Sequence, residues 1–217
     1  MGGCCDPRGC DRMFTSGFAR HVARRYRKRG LDRTATRMVA FLRERGIEGA
    51  TVLEIGGGVG EIQVELLRLG AASAVGLELS PSYRDEAARL LAEAGLTGRA
   101  QYRLHDIAAD PAGAPAADVV VLHRVVCCYP DYERLLAAVA DHANRLVVFS
   151  HPPRNLGGRV FVGVTNLVMR LRRERYRAFV HPPEAMLGVL RERGLRPAYT
   201  HRGFTWQIAG LERGGPA

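Results

Sequence analysis

The chain has 217 residues, of which 32 are lysine or arginine and 22 are aspartate or glutamate, so its formal net charge is +10. Hydrophobic residues make up 47% of the sequence and charged residues 25%, a balance that is typical of a globular domain and argues against global disorder. No apolar run reaches the ~20 residues that a membrane-spanning helix needs, and the N-terminal sequence lacks the apolar segment of a secretory signal.

The positive charge comes almost entirely from arginine, since Lys28 is the single lysine. Such a skew indicates a coding bias, which weakens the charge as evidence for a nucleic-acid partner. Five cysteines are too few for a disulfide scaffold in a chain of this length, so we expect a reducing, cytoplasmic setting. Three of them, Cys4, Cys5 and Cys10, lie in a polar arm, residues 1–12, and their spacing matches no common zinc motif. Their thiolates could hold a soft metal, with Cys127 or Cys128 as a fourth ligand, but incidental cysteines are favoured and we expect no metal site.

The remaining residues, 13–217, are predicted to form one domain that begins with a helical lid, 13–46. Apolar residues recur in the lid at helical spacing, and Gly30 and Gly46 follow its two helical segments as stop signals. From residue 51 onward, short apolar runs alternate with amphipathic segments, which is typical of a parallel sheet that helices cover on both faces. The predicted strands are 51–55, 74–79, 100–104, 118–123 and 145–150, and the predicted helices between them are 61–69, 81–94 and 131–142.

The last part of the chain, 151–217, is predicted to supply two helices on the substrate side, 160–171 and 183–193. Two further strands, 196–202 and 204–211, are predicted to close the sheet as a hairpin that is antiparallel to the other strands. The predicted fold class is therefore α/β: a doubly wound, Rossmann-like, mostly parallel sheet of seven strands with an N-terminal helical lid. Its middle part, 51–150, carries the motifs of a cofactor-binding core.

A glycine-rich loop follows the first predicted strand, in the sequence VLEIGGGVG at residues 52–60. Glycine permits a tight turn and a close approach of a ligand to the backbone. The loop departs from the dinucleotide fingerprint, because the sixth position is Glu61, whose carboxylate would face a pyrophosphate. It fits the pattern acid-x-G-x-G-x-G instead, and its two acids favour a cationic ligand. The candidate cofactor-binding residues of this loop are Glu54, Gly56, Gly57, Gly58 and Gly60.

Two further acids follow the second and third predicted strands. Glu78, next to Leu79, ends the second strand, where an acid commonly accepts hydrogen bonds from both ribose hydroxyls. Asp106 follows the third strand, and a carboxylate beside the apolar Ile107 suits the exocyclic amine and the face of adenine. Each acid alone also has a purely structural explanation: Glu78 could be a solvated acid at a strand end, and Asp106 could cap a helix. Together with the glycine loop they converge on one edge of the sheet and predict a binding site.

With these three elements in order, the chain resembles class I S-adenosylmethionine-dependent methyltransferases, most closely over residues 51–150. The resemblance implies S-adenosyl-L-methionine as the cofactor, with its methionine part in the glycine loop. It also implies that Glu78 holds the ribose and that Asp106 binds the adenine amine.

The segment DVVVLHRVVCCYP, residues 118–130, carries the candidate catalytic residues. His123 falls at the end of the fourth predicted strand, where the methyl group and its acceptor would meet. A histidine can serve as the base for a hydroxyl or amine acceptor; alternatively, its ring fills space and its backbone packs against the cofactor. Cys128 is a further candidate or a buried apolar residue, and Tyr129 can cap the pocket. In the lid, Tyr26 is the candidate that reaches over the site.

The layout of residues 118–195 is similar to that of magnesium-protoporphyrin O-methyltransferases. The shared features are an apolar strand that leads into a Tyr-Pro turn, the strand RLVVFS, and an aromatic-His segment, AFVH at 178–181, before a helix. Those enzymes carry a histidine immediately before the Tyr-Pro pair, where this chain has Cys128. The similarity therefore implies an O-methyltransferase architecture and leaves the porphyrin substrate unassigned.

The function expected from these residues is methylation of a small-molecule acceptor, through oxygen or through another nucleophile. Two arginine-rich segments, 20–33 and 170–177, also allow an RNA methyltransferase, because a positive rim can bind RNA phosphates, an acidic membrane surface or an anionic small substrate. The sequence is compatible as well with a nicotinamide-dependent oxidoreductase and with a non-catalytic protein that binds an adenosyl ligand.

Overall fold

The computed structural model describes residue 9 and residues 13–214 of the chain. Predictions for the N-terminal arm with Cys4, Cys5 and Cys10 lie outside the described residues. The described part contains seven α-helices: α1 (Ser16–Arg29), α2 (Arg33–Glu44), α3 (Glu61–Arg68), α4 (Arg84–Glu93), α5 (Tyr132–His142), α6 (Leu156–Leu171) and α7 (Pro183–Arg191). Among these residues, no helix has the length and apolarity that crossing a bilayer requires.

Seven strands form one sheet in the order β3-β2-β1-β4-β5-β7-β6. Their bounds are β1 (Thr51–Ile55), β2 (Ser73–Glu78), β3 (Ala100–Leu104), β4 (Ala117–Leu122), β5 (Ala143–His151), β6 (Leu195–Arg202) and β7 (Gln207–Arg213). The first five strands pair in parallel, and β7 pairs antiparallel with both β5 and β6. The predicted α/β fold is thus confirmed, with one refinement: only β7 is reversed, and β6 runs in the direction of β1–β5.

Both faces of the sheet are covered, which explains the near-continuous apolar runs of the central strands. Val119 and Val121 of β4 pack with residues of α1, α2, α3 and α4 on one face. Val120 and Leu122 of the same strand pack with residues of α5 and α7 on the other face. The two lid helices therefore belong to one helical layer of the domain. The boundaries proposed for lid, core and substrate side stay predictions.

Helix α6 lies apart from both layers and begins at Leu156, four residues before its predicted start. Its inner face packs in a small separate cluster that comprises Val162, Met169, Tyr176 and Ala178. The side chain of Asn166 anchors it further, since its amide accepts from and donates to the backbone of Ala178, each at 2.8 Å. The opposite face of α6 has no cover among the described residues.

The strand order reverses between β1 and β4, and this reversal creates a crevice at the carboxyl ends of the strands. The glycine loop after β1 and the segment that begins at His123 after β4 flank the crevice. The fold thus places the glycine loop and the segment with the candidate catalytic residues on the two sides of the same crevice.

Candidate active site

A cavity of about 380 Å³ opens at this crevice, a volume in the range of small-ligand sites. All the predicted site residues except Gly60 and Tyr26 line it. The lining members are Glu54, Gly56, Gly57, Gly58, Glu78, Leu79, Asp106, Ile107, His123, Cys128 and Tyr129. Helix α1 closes the cavity from above with Phe18, Val22 and Arg25.

The glycine loop passes too close to its neighbours at Gly56 and Gly57 to carry side chains, and Gly58 and Gly60 have positive φ angles. Gly56 has a φ of +62°, and a Cβ there would lie 2.6 Å from Cγ2 of Val125. Gly58, with a φ of +61°, donates its backbone N–H to the carboxylate of Glu78. Gly60 lies outside the cavity wall, where its left-handed conformation starts α3. The glycines therefore shape the loop, and three of them expose its backbone to the cavity.

Glu54 is a buried acid at the bottom of this loop, hydrogen-bonded by Gln63 and with one oxygen left without a partner. Its side chain is 1% exposed, and Oε2 has no hydrogen-bond partner among the described residues. Burial raises the pKa of Glu54 well above its usual value, and the nearby charge of Glu61 raises it further. Burial likewise raises the pKa of Glu61. Positive charge on a ligand would therefore offset the cost of ionising this buried acid.

Glu78 is held in place by the backbone of the loops around it. Gly58 donates to Oε1, and Leu79 donates to Oε2 at 3.2 Å. Burial raises the pKa of Glu78 to about 7, although these N–H groups favour the charged form. The carboxylate is thus preorganised at the end of β2 with lone pairs left for a ligand.

Asp106 has two sets of contacts, and one of them matches the predicted cap. Oδ1 accepts from the backbone N–H of Ala108 at 3.1 Å and of Ala109 at 3.3 Å, as in a turn cap. The hydroxyl of Tyr129 lies 3.0 Å from Oδ1 and 3.1 Å from Oδ2. Tyr129 therefore orients the carboxylate that faces the cavity, a role that differs from the predicted cap over the pocket.

His123 is hydrogen-bonded at both ring nitrogens. Nδ1 lies 3.1 Å from the hydroxyl of Ser150, and Nε2 lies 3.3 Å from Oδ2 of Asp32. A carboxylate can only accept, so in this state Nε2 carries the proton and Nδ1 accepts from Ser150. Burial lowers the pKa of His123, whereas Asp32 acts in the opposite direction. The imidazole is therefore neutral at neutral pH.

Arg124 completes this end of the cavity in an unusual backbone conformation. Its φ of +62° lies in the left-handed region, which non-glycine residues rarely adopt. Nη2 lies 2.8 Å from Oδ2 of Asp32, and the guanidinium carbon lies 5.1 Å from the ring centroid of Trp206. Burial alone would raise the pKa of Asp32, but His123 and Arg124 keep it below its usual value. Asp32 is therefore a permanent anion between two nitrogen donors.

Comparison with known proteins identifies the family. A family model described as a methyltransferase domain matches residues 19–207. The chain belongs to this family of methyltransferases. The match confirms the class I S-adenosylmethionine-dependent methyltransferase that the sequence motifs predict, with S-adenosylmethionine as cofactor. A search of curated proteins finds no match to the chain.

Solved structures share the fold of this methyltransferase at low sequence identity. Magnesium protoporphyrin IX methyltransferase (ChlM) from Synechocystis PCC 6803 with bound SAH has a TM-score of 0.68 and 22% identity, over 83% of this chain and 82% of that one. An O-methyltransferase family protein from Burkholderia thailandensis has a TM-score of 0.66 and 21% identity, over 92% and 63%. A TehB-like SAM-dependent methyltransferase from Corynebacterium glutamicum has a TM-score of 0.62 and 17% identity, over 91% and 99%.

The structure corrects the position predicted for Tyr26. Its hydroxyl donates to Glu65 on α3 and accepts from Arg68 at 3.2 Å, so the ring faces the domain and not the cavity. Burial and Glu65 together raise the pKa of Tyr26. Tyr26 continues the buried face of α1, whereas Phe18 and Arg25 on another face line the cavity. Tyr26 therefore ties the lid to α3.

The two adjacent cysteines of the methyltransferase have different surroundings. Cys128 lines the cavity, and its Sγ lies 3.0 Å from the hydroxyl of Tyr176. Cys127 is buried behind it, and its carbonyl accepts the backbone N–H of Phe179 at 2.7 Å. His181 binds the carbonyl of Tyr129 at 2.9 Å. The aromatic-His segment thus holds the Tyr-Pro turn against the site.

Two charged residues of the site, Asp32 and Arg124, were not predicted from the sequence. Asp32 caps α2, accepting from the N–H groups of Thr34 and Ala35, and this local role hides the distant contact with His123. Arg124 is one of many arginines, and its only sequence signal is its place directly after His123.

Proposed function

We propose that this methyltransferase transfers a methyl group from S-adenosylmethionine to the oxygen of a small-molecule acceptor. One observation carries the proposal: the His123–Asp32 pair lines the same cavity as Glu54 of the glycine loop, whose Oε2 has no partner among the described residues. The cavity thus joins groups suited to a cationic cofactor with a neutral base beside a carboxylate.

The residues of the cavity fit S-adenosylmethionine on three counts. The unpartnered Oε2 of Glu54 can accept from the ammonium group of the methionine part. The oriented carboxylate of Glu78 can accept from the ribose hydroxyls. Asp106, oriented by Tyr129, can accept from the adenine amine, with Ile107 against the ring.

The chain's own residues then have three tasks: to align the acceptor, to exclude water and to take up a proton. When bound, the cofactor supplies a methyl group on a positively charged sulfur, open to in-line attack. In the state described above Nε2 already carries a proton, so the ring first changes to the tautomer in which Nδ1–H donates to the oxygen of Ser150. Nε2 is then unprotonated and takes the proton of the acceptor hydroxyl. Asp32 stabilises the imidazolium that results.

The proposal is tested with tritiated-methyl S-adenosylmethionine and a cell extract, followed by identification of the labelled product. We expect label on an oxygen of a small molecule. His123→Asn should lower kcat at neutral pH and leave the cofactor affinity, measured by calorimetry, unchanged. Label that enters RNA, or a His123→Asn variant with full kcat, would contradict the proposal. Binding of NAD in place of S-adenosylmethionine would contradict it as well.

A further inference from the structure

Helix α6 presents an apolar stripe that nothing in the described chain covers. Its side chains recur every three or four residues, the spacing of one helix face. Six large apolar residues are more than half exposed: Leu156 78%, Val160 56%, Phe161 68%, Val164 56%, Leu167 56% and Leu171 76%. The buried residues of the helix, Val162 and Met169, lie on the opposite side. A contiguous apolar surface of this kind marks an interaction site.

The stripe is framed by positive charge. Between Pro152 and Pro183 the sequence has seven arginines and one acid, Glu174. Arg154 precedes the helix and Arg172 follows it, both exposed. No acidic residue lies within α6 itself. An apolar helix face with arginines at its ends has the composition of a helix that lies in the plane of a membrane interface.

The helix adjoins the active site. Its inner face packs in the cluster that Phe14 and Cys128 also contact, and both of these residues line the cavity. The ring of Phe14 lies 5.8 Å from that of Tyr176, edge to face. Phe18, which lines the cavity, is itself 43% exposed. A surface that binds α6 would therefore lie beside the wall of the cavity.

We propose that α6 docks this methyltransferase on an anionic lipid surface, with the stripe among the upper acyl chains and the arginines at the headgroups. Apolar burial and attraction to anionic headgroups act together in such docking. A second copy of the chain is a poorer occupant, because it would bring two sets of seven arginines together with one acid, Glu174, in each segment. The docking does not depend on which acceptor the enzyme methylates.

Vesicle co-sedimentation of the full chain tests the proposal. We expect binding to phosphatidylcholine vesicles that contain about a third phosphatidylglycerol, weaker binding to pure phosphatidylcholine, and release by salt. The double substitution Phe161→Ser and Leu167→Ser should lower the partition coefficient at least about tenfold. Both side chains are exposed, so the variant should keep its Tm within a few degrees.

Matched controls separate the stripe from general effects. Leu69→Ser removes an apolar side chain that is 36% exposed at the C-terminal end of α3, and it should leave vesicle binding unchanged. Arg172→Glu with Arg173→Glu should weaken binding to anionic vesicles. Arg37→Glu with Arg43→Glu on α2 makes the same change of charge and should have a small effect.

Three results would overturn the proposal. The first is no binding to anionic vesicles at low salt. The second is equal partition of the wild-type chain and the Phe161→Ser, Leu167→Ser variant. The third is that light scattering finds a wild-type dimer, that the variant is a monomer, and that the wild-type chain does not bind vesicles. The stripe would then bind a second copy of the chain.

Discussion

Nε2 of His123 lies 3.3 Å from Oδ2 of Asp32, although 91 positions separate the two residues in the chain. Asp32 sits in the turn between α1 and α2, so this contact ties the lid to the segment after β4. Its other oxygen, Oδ1, accepts from the backbone of Thr34 at 2.8 Å and of Ala35 at 3.0 Å and caps α2. The two oxygens therefore have separate roles, one structural and one at the site.

Two substitutions of Asp32 distinguish these roles. Asp32→Asn keeps an oxygen for the cap, whereas Asp32→Ala loses it and should cost about 1 kcal/mol more free energy of unfolding. Both remove the charge that raises the pKa of His123, so the acid limb of the kcat profile should move to lower pH. Both should also lower kcat. Urea unfolding and pH–rate profiles measure these effects, and an unchanged profile in Asp32→Asn would refute the role at the site.

The close approach of Gly56 to Val125 predicts the effect of a single added methyl group. Gly56→Ala places a Cβ 2.6 Å from Cγ2 of Val125 at a φ of +62°, so we expect lower stability and weaker cofactor binding. Gly46→Ala is the matched control, since its φ of +68° is similar and no atom lies within 4 Å of the added Cβ. It should cost about 1–2 kcal/mol of backbone strain alone and leave calorimetric cofactor affinity intact. Equal affinity in both variants would contradict this account.

The sequence predicted the fold and the glycine-loop side of the cavity more fully than the surroundings of His123. Strand periodicity and a glycine loop are local sequence patterns. Parallel strands place their carboxyl ends at the same edge of a sheet, so these patterns also locate the cavity. The partner of His123 is set by the packing of the lid, and no local pattern encodes it. The position of Tyr26 was also beyond local sequence patterns. Successive residues of a helix point about 100° apart, so Tyr26 faces the domain although its neighbour Arg25 lines the cavity.

Tyr26 therefore serves stability and not catalysis. Tyr26→Phe removes the hydroxyl that binds Glu65 and Arg68, and the loss should lower the free energy of unfolding by about 1 kcal/mol. Because the ring lies outside the cavity, kcat at saturating substrate should be unchanged. Thermal unfolding and steady-state kinetics measure the two quantities. A fall in kcat without a change in Tm would restore Tyr26 as a site residue.

The buried carboxyl of Glu78 predicts opposite pH dependences for stability and for binding. Burial raises its pKa from 4.5 to about 7, so the folded chain holds this proton more tightly than the unfolded chain does. Its contribution to the free energy of unfolding is fully present below about pH 4.5 and is lost as the pH rises through about 7. We therefore expect the Tm of the ligand-free protein to fall over this range more steeply in the wild type than in Glu78→Gln.

Binding of S-adenosylhomocysteine should change in the other direction. The charged carboxylate is the better acceptor for ribose hydroxyls, so the wild-type affinity should rise as Glu78 ionises around pH 7. Glu78→Gln keeps the shape of the side chain, and it should bind more weakly with a flatter pH dependence. The charge of Glu78 also raises the pKa of Glu54, so the difference between the two proteins reports Glu78 together with its effect on Glu54. Calorimetry that finds the same pH dependence in both would show that Glu78 does not hold the ribose.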